Sequence, residues 1–86
     1  MNSINAKILK IKDRVITISV PHAAVTDLAG KDIKLDGFSA GWLNSPPSKE
    51  ADDDESELID ALAYRIKGND DIGSLMVAST CEVTWV

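Results

Sequence analysis

Ile16, Ile18 and Val20 alternate with Val15, Thr17 and Ser19. This two-residue period commits the N-terminal part of the chain to β-structure. Successive side chains of a strand face opposite ways, and β-branched residues suit a pleated, half-buried surface. Upstream, Ile4, Ala6 and Ile8 share one phase, whereas Leu9 and Ile11 share the other. A bulge at Ile8–Leu9 accounts for the slip, since one extra residue moves later side chains to the opposite face. Residues 4–20 are therefore expected to form a β-hairpin that turns at Asp13 and Arg14.

The rest of the chain mixes periods. Pro21 closes the second strand, because it cannot donate to a ladder. His22 to Ala29 is expected as a short helix started by Pro21, with Gly30 at its end. Lys31 to Asp36 alternates, with Ile33 and Leu35 on one side, and reads as a third short strand. Gly37 to Ala51 carries two glycines, two adjacent prolines and three serines, the composition of a loop. It holds Phe38 and Trp42, two of the four aromatic side chains.

The main helix is expected from about Asp54 to Lys67. Asp54 can cap it, with Glu57 three residues on. Acids suit its first turn, Arg65 and Lys67 its last, and Gly68 is a fitting stop. Ser74 to Val86 is the final extended element. Thirteen extended residues span roughly 43 Å, against about 21 Å for the helix, so a bend or bulge near Ser79–Thr80, or two shorter strands, is expected. The fold class that follows is α+β, a three- to four-stranded antiparallel sheet with one main helix packed on one face, in a single domain of 86 residues.

Charge is segregated along this chain. Glu50, Asp52, Asp53, Asp54, Glu55, Glu57 and Asp60 make seven of the eleven residues from 50 to 60 acidic, and none is basic. Lys7, Lys10, Lys12 and Arg14 crowd the first hairpin instead. The formal net charge of −5 argues against simple duplex DNA or anionic-membrane binding, which needs clustered Lys and Arg. Cys81 is the single cysteine, so no internal disulfide forms. No apolar run reaches the roughly 20 residues of a membrane span, and no signal-peptide core is visible. The expected location is cytoplasmic.

No catalytic signature, nucleotide loop or cofactor motif appears. His22 and Cys81 are the candidates for nucleophilic chemistry, but Cys81 shares a strand face with Leu75 and Val83 and suits a buried, inert thiol. Asp52, Asp54 and Glu57 lack the glycine and the twelfth-position acid of a calcium loop. No metal is expected at them, nor at the turn-forming Asn69, Asp70 and Asp71.

The acidic run has a plain account as solvated surface and helix start. Its sharper account is a contact surface for a basic partner. Projected at about 100° per residue, the expected helix buries Leu58, Ile59, Leu62, Ala63 and Ile66. It leaves Tyr64 on the polar face beside Glu57 and Asp60, a frequent make-up for an interface anchor; the alternative is that the 37–51 loop folds over Tyr64 and buries it.

The expected partner-binding residues are Asp52, Asp53, Asp54, Glu55, Glu57, Asp60 and Tyr64, with Phe38 and Trp42. The expected role is a small acidic inhibitor or adaptor, not an enzyme, that occludes a basic site on a larger protein. One concrete form is a viral or mobile-element inhibitor of a nucleic-acid-handling enzyme, since carboxylates can occupy phosphate sites. Direct nucleic-acid binding through the basic hairpin is the second expectation. Self-association of the C-terminal strand by edge addition is the third.

Overall fold

A computed structural model describes residues 2–45, 59–69 and 71–86. Six strands are present: β1 (Asn2–Lys12), β2 (Val15–Pro21), β3 (Ile33–Leu35), β4 (Phe38–Asn44), β5 (Ile59–Ile66) and β6 (Thr80–Trp85). They close into an antiparallel barrel in the order β1-β2-β5-β4-β3-β6. Strands β3, β4 and β5 form a meander, and β6 returns beside β3, which is Greek-key topology. The expected α+β sheet with a main helix is therefore replaced by a closed all-antiparallel barrel.

The N-terminal hairpin forms as its alternation dictates. β1 pairs with β2 from Lys7↔Ser19 to Lys12↔Val15, and the register shifts between Ile8 and Lys10. The extra residue is Leu9, where the phase slips. Because of it, Ala6 and Ile8 are buried while Lys7, Lys10 and Lys12 are all exposed. Asp13 and Arg14 form the two-residue turn with φ of 51° and 67°, the doubly positive conformation that matches strand twist.

β1 changes neighbours at the bulge. Its first part pairs with β6, from Asn2↔Trp85 to Lys7↔Thr80, and its second part with β2. β4 does the same, pairing with β3 through Ala40 and with β5 from Ala40 to Asn44. Two long strands that each serve two partners let six strands close without an open edge.

Pro21 is followed by a 3-10 turn, His22–Ala24, and a one-turn helix α1, Val25–Leu28. The expected short helix is thus present, and Gly30 follows it with φ 81°. This segment joins β2 to β3, which lie opposite each other in the barrel order, so it crosses one barrel end. The 67–79 connection joins β5 to β6, also opposite, and crosses the other. Leu28 and Leu75 are buried in these two crossings.

The core is made of inward residues from every strand: Ala6 and Ile8, Ile16, Ile18 and Val20, Ile33 and Leu35, Ala40, Leu62, Tyr64 and Ile66, Cys81, Val83 and Trp85. No polar or charged residue is buried among the described residues. In a barrel this small, such side chains fill the interior.

Two expected elements are overturned in detail. The loop of residues 37–51 contains β4, launched by the Asp36-Gly37 turn, where φ is 50° and 90°. The helix of residues 54–67 is strand β5 from Ile59 to Ile66, bonded to β2 on one side and β4 on the other; residues 54–58 lie outside the described residues. Helix propensity differences are below about 1 kcal/mol per residue, and two flanking strands plus an interior to fill outweigh them. The bend expected near Ser79–Thr80 appears as a turn at Val77–Ala78, so only Thr80–Trp85 of the last segment is strand.

Candidate binding surfaces

Most of the residues expected to bind a partner fall on a single connection. Asp52, Asp53, Asp54, Glu55 and Glu57 lie outside the described residues, between β4 and β5. Asp60, at the start of β5, is half-buried. Its Oδ2 lies 2.6 Å from Nδ1 of His22, which ties the beginning of the crossing segment to β5. On the other side of the connection, Ser45 Oγ donates to the Ala61 carbonyl at 3.2 Å.

Tyr64 is not on an outer face. It points into the barrel, fully buried, and its hydroxyl donates to the Leu28 carbonyl at 2.7 Å. Burial pushes its phenol well above the ordinary value of 10. Trp42 stands edge-on to it, with ring centroids 5.4 Å apart at 72°, a favourable aromatic arrangement. Phe38 and Trp42 are both half-buried and packed against the core. Tyr64 thus ties β5 to the α1 crossing, and Trp42 packs on it from β4, which corrects the exposed-anchor expectation for Tyr64.

The possible nucleophiles are not brought together. His22 is exposed and paired with Asp60, while Cys81 is buried on β6. Burial, helped by the Asp36 carboxylate, pushes the Cys81 thiol up to about 11, so the thiolate that nucleophilic chemistry needs is disfavoured. Among the described residues no cluster of three or more His, Cys, Asp and Glu is placed to hold a metal ion. The Asp71 carboxylate accepts from the Gly73 N–H at 2.9 Å, an ordinary turn contact. No helix among the described residues is long and apolar enough to cross a membrane.

The basic residues divide into two groups. Lys7, Lys10 and Lys12 stand outward along β1, with Arg14 half-buried in the turn. A second group lines an open groove of about 800 Å³ beside β3, containing Lys31, Lys34 and Lys67 with Asp32. The Lys67 ammonium contacts Asp32 Oδ2 at 2.5 Å. Gly41 makes room for this pair, because a Cβ there would lie 3.2 Å from Lys67 Cε. Sequence reasoning missed this second group, since its lysines are scattered singly and only the fold assembles them.

The third expectation, self-association through the last strand, needs an open edge. β6 is bonded to β1 along its length and to β3 at Val83 and Thr84, so those two residues have partners on both sides. Comparison with protein-family models, curated proteins and solved structures found no match. The surfaces must therefore be judged on their own chemistry.

Proposed function

We propose that this barrel is a non-enzymatic binding protein that presents the acidic β4–β5 connection to a basic surface on a larger protein, as an inhibitor or adaptor. The observation that carries this is where the negative charge sits. The described residues contain eight Lys and Arg against seven acids, so the barrel is close to neutral. Residues 46–58 contain six acids against Lys49 alone. The net charge of the chain is essentially that of one connection.

Two further points support the proposal. β4 and β5 are adjacent antiparallel strands, which two to five residues ordinarily join. This chain uses the fourteen residues from 45 to 58, far more than the fold requires. Moreover, residues 59–66 form a strand, so the acids have no helix of those residues to cap. Electrostatic fields decay over about 8 Å at physiological salt, and acids this close in sequence act together on an incoming basic patch. Such attraction raises the rate of encounter and selects against acidic partners.

The test is capture from a native extract by wild-type protein and by a variant with Asp52, Asp53 and Asp54 changed to Asn. The expected outcome is a captured protein with a basic surface that the variant loses, with thermal stability unchanged. Undiminished capture by the variant would refute the proposal.

A second proposal rests on the Leu9 bulge, which leaves Lys7, Lys10 and Lys12 all exposed on β1. Such a row can contact phosphates and would make the chain a nucleic-acid-binding accessory. Gel-shift binding that survives the Asn changes but is lost in Lys10→Ala with Lys12→Ala would favour it over the first.

A further inference from the structure

We propose that the groove beside β3 is a binding site for a small phosphorylated organic molecule, with Lys34 at its centre. This site is separate from the acidic connection and does not depend on its role. β3 is hydrogen-bonded on both sides, to β4 and to β6. Lys34 therefore has no exposed sheet edge to protect, the common reason for a lysine on a strand.

The cross-strand partners of Lys34 are Ser39 on β4 and Thr84 on β6. Direct partners lie with Cβ atoms about 5 Å apart. An oxyanion resting over this row meets one ammonium flanked by two hydroxyls. Neither hydroxyl makes a hydrogen bond among the described residues, and neither Lys31 nor Lys34 has a carboxylate partner there. Lys67 adds a third ammonium, held by Asp32. The groove side chains thus carry three positive charges and one negative. A phosphate monoester, at roughly −1.5 to −2 near neutral pH, matches that surplus.

Size and boundaries narrow the ligand class. About 800 Å³ far exceeds a bare phosphate ion and falls within the range of about 300–1,000 Å³ for small-molecule sites. Ile33 and Trp85 contribute apolar lining for an organic part. The positive surface does not continue along the sheet. One pleat further along β6, Glu82 faces outward, and its N–H donates to Asp36 Oδ1 at 2.7 Å. Lys7 lies beyond this acidic pair, opposite Thr80. A long polyanion crossing from Lys34 to Lys7 would pass over two carboxylates, so the groove favours a compact anion over a nucleic-acid strand.

The test is titration of isotope-labelled full-length protein with phenyl phosphate, followed by backbone amide spectra, with a single-stranded oligonucleotide titrated in parallel. Saturable shifts are expected at Lys34, Ser39 and Thr84. Lys34→Gln should weaken phenyl phosphate binding about tenfold, the effect of roughly 1.4 kcal/mol, and Lys12→Gln should leave it unchanged. Lys31→Gln, outside the strand, should weaken it too and serves if Lys34→Gln disturbs the fold. Absence of saturable shifts, equal weakening by Lys12→Gln, or tighter oligonucleotide binding centred on Lys7, Lys10 and Lys12 would overturn the inference.

Discussion

Strands β2 and β5 run side by side through seven residue pairs, yet they meet their surroundings differently. In β2, Ile16, Ile18 and Val20 are buried, while Val15, Thr17 and Ser19 between them are half-buried. In β5, Leu62, Tyr64 and Ile66 fill the interior, but Ala61 and Ala63 on the outer side are also buried, at 3% and 4% exposure. A strand covered on both faces loses the apolar–polar alternation that marks a half-exposed one. Its i to i+4 apolar pairs then coincide with a helical stripe. Two neighbours in one sheet can thus carry unlike signals, because the signal reports exposure to water and not the backbone.

The sharpest way to break this comparison is at Tyr64. As an inward strand residue it should lose about 3–5 kcal/mol on Tyr64→Ala, whereas exposed Arg65→Ala should change stability by less than about 0.5 kcal/mol. A helix over the same residues predicts almost no loss at Tyr64. Urea unfolding of the two variants decides. Tyr64→Phe isolates the hydroxyl and should cost only about 1 kcal/mol, since the Leu28 carbonyl also accepts from the Lys31 N–H at 3.2 Å.

A smaller effect sharpens the comparison through β6, which alternates as β2 does. Cys81 faces inward, and its thiol is raised from 9.0 to about 11. The folded protein therefore holds this proton more tightly than the unfolded chain. The resulting stability is fully present below about pH 9 and is lost as pH rises toward 11. Wild-type protein should destabilise more steeply than Cys81→Ala across that window in denaturant titrations. The thiol should also resist disulfide-exchange reagents until the protein unfolds. Equal pH slopes for the two proteins would contradict the inward placement of Cys81.

The smallest effect concerns the connections that enter β2 and leave β5. Asp13 and Ala78 both adopt positive φ, 51° and 74°. Asp tolerates this conformation through local hydrogen bonding, and Ala does not. Ala78→Gly should therefore stabilise by about 0.5–1 kcal/mol, whereas Asp13→Gly should move the melting midpoint little. A loss of stability in Ala78→Gly would show that the turn carries no strain.

What was legible in the chain follows the same physics. The first hairpin, its bulge at Leu9 and its Asp13-Arg14 turn were written in phase and punctuation. The α1 crossing and β3 were legible from Pro21, Gly30 and the alternation at Ile33 and Leu35. β4 is masked in the sequence although Asp36-Gly37 is a strong hairpin signal, because the glycines and serines around Phe38 match the composition of a loop. The acids before β5 favoured a helix start on local grounds, and no local rule revealed two flanking strands. The lysine groove had no linear signature. Lys31, Lys34 and Lys67 meet because β4 lies between β3 and β5, and the Lys67 N–H donates to the Ser39 carbonyl at 2.9 Å.

The placement of β6 has a consequence for synthesis. The last strand of this cylinder is inserted between the first and the third, so neither neighbour can complete its ladder until residues 80–85 have left the ribosome. Until then β1 and β3 expose unpaired amides and carbonyls along one seam. A nascent chain of this design waits with an open seam, and truncation before Thr80 would leave that seam free to recruit strands from other molecules.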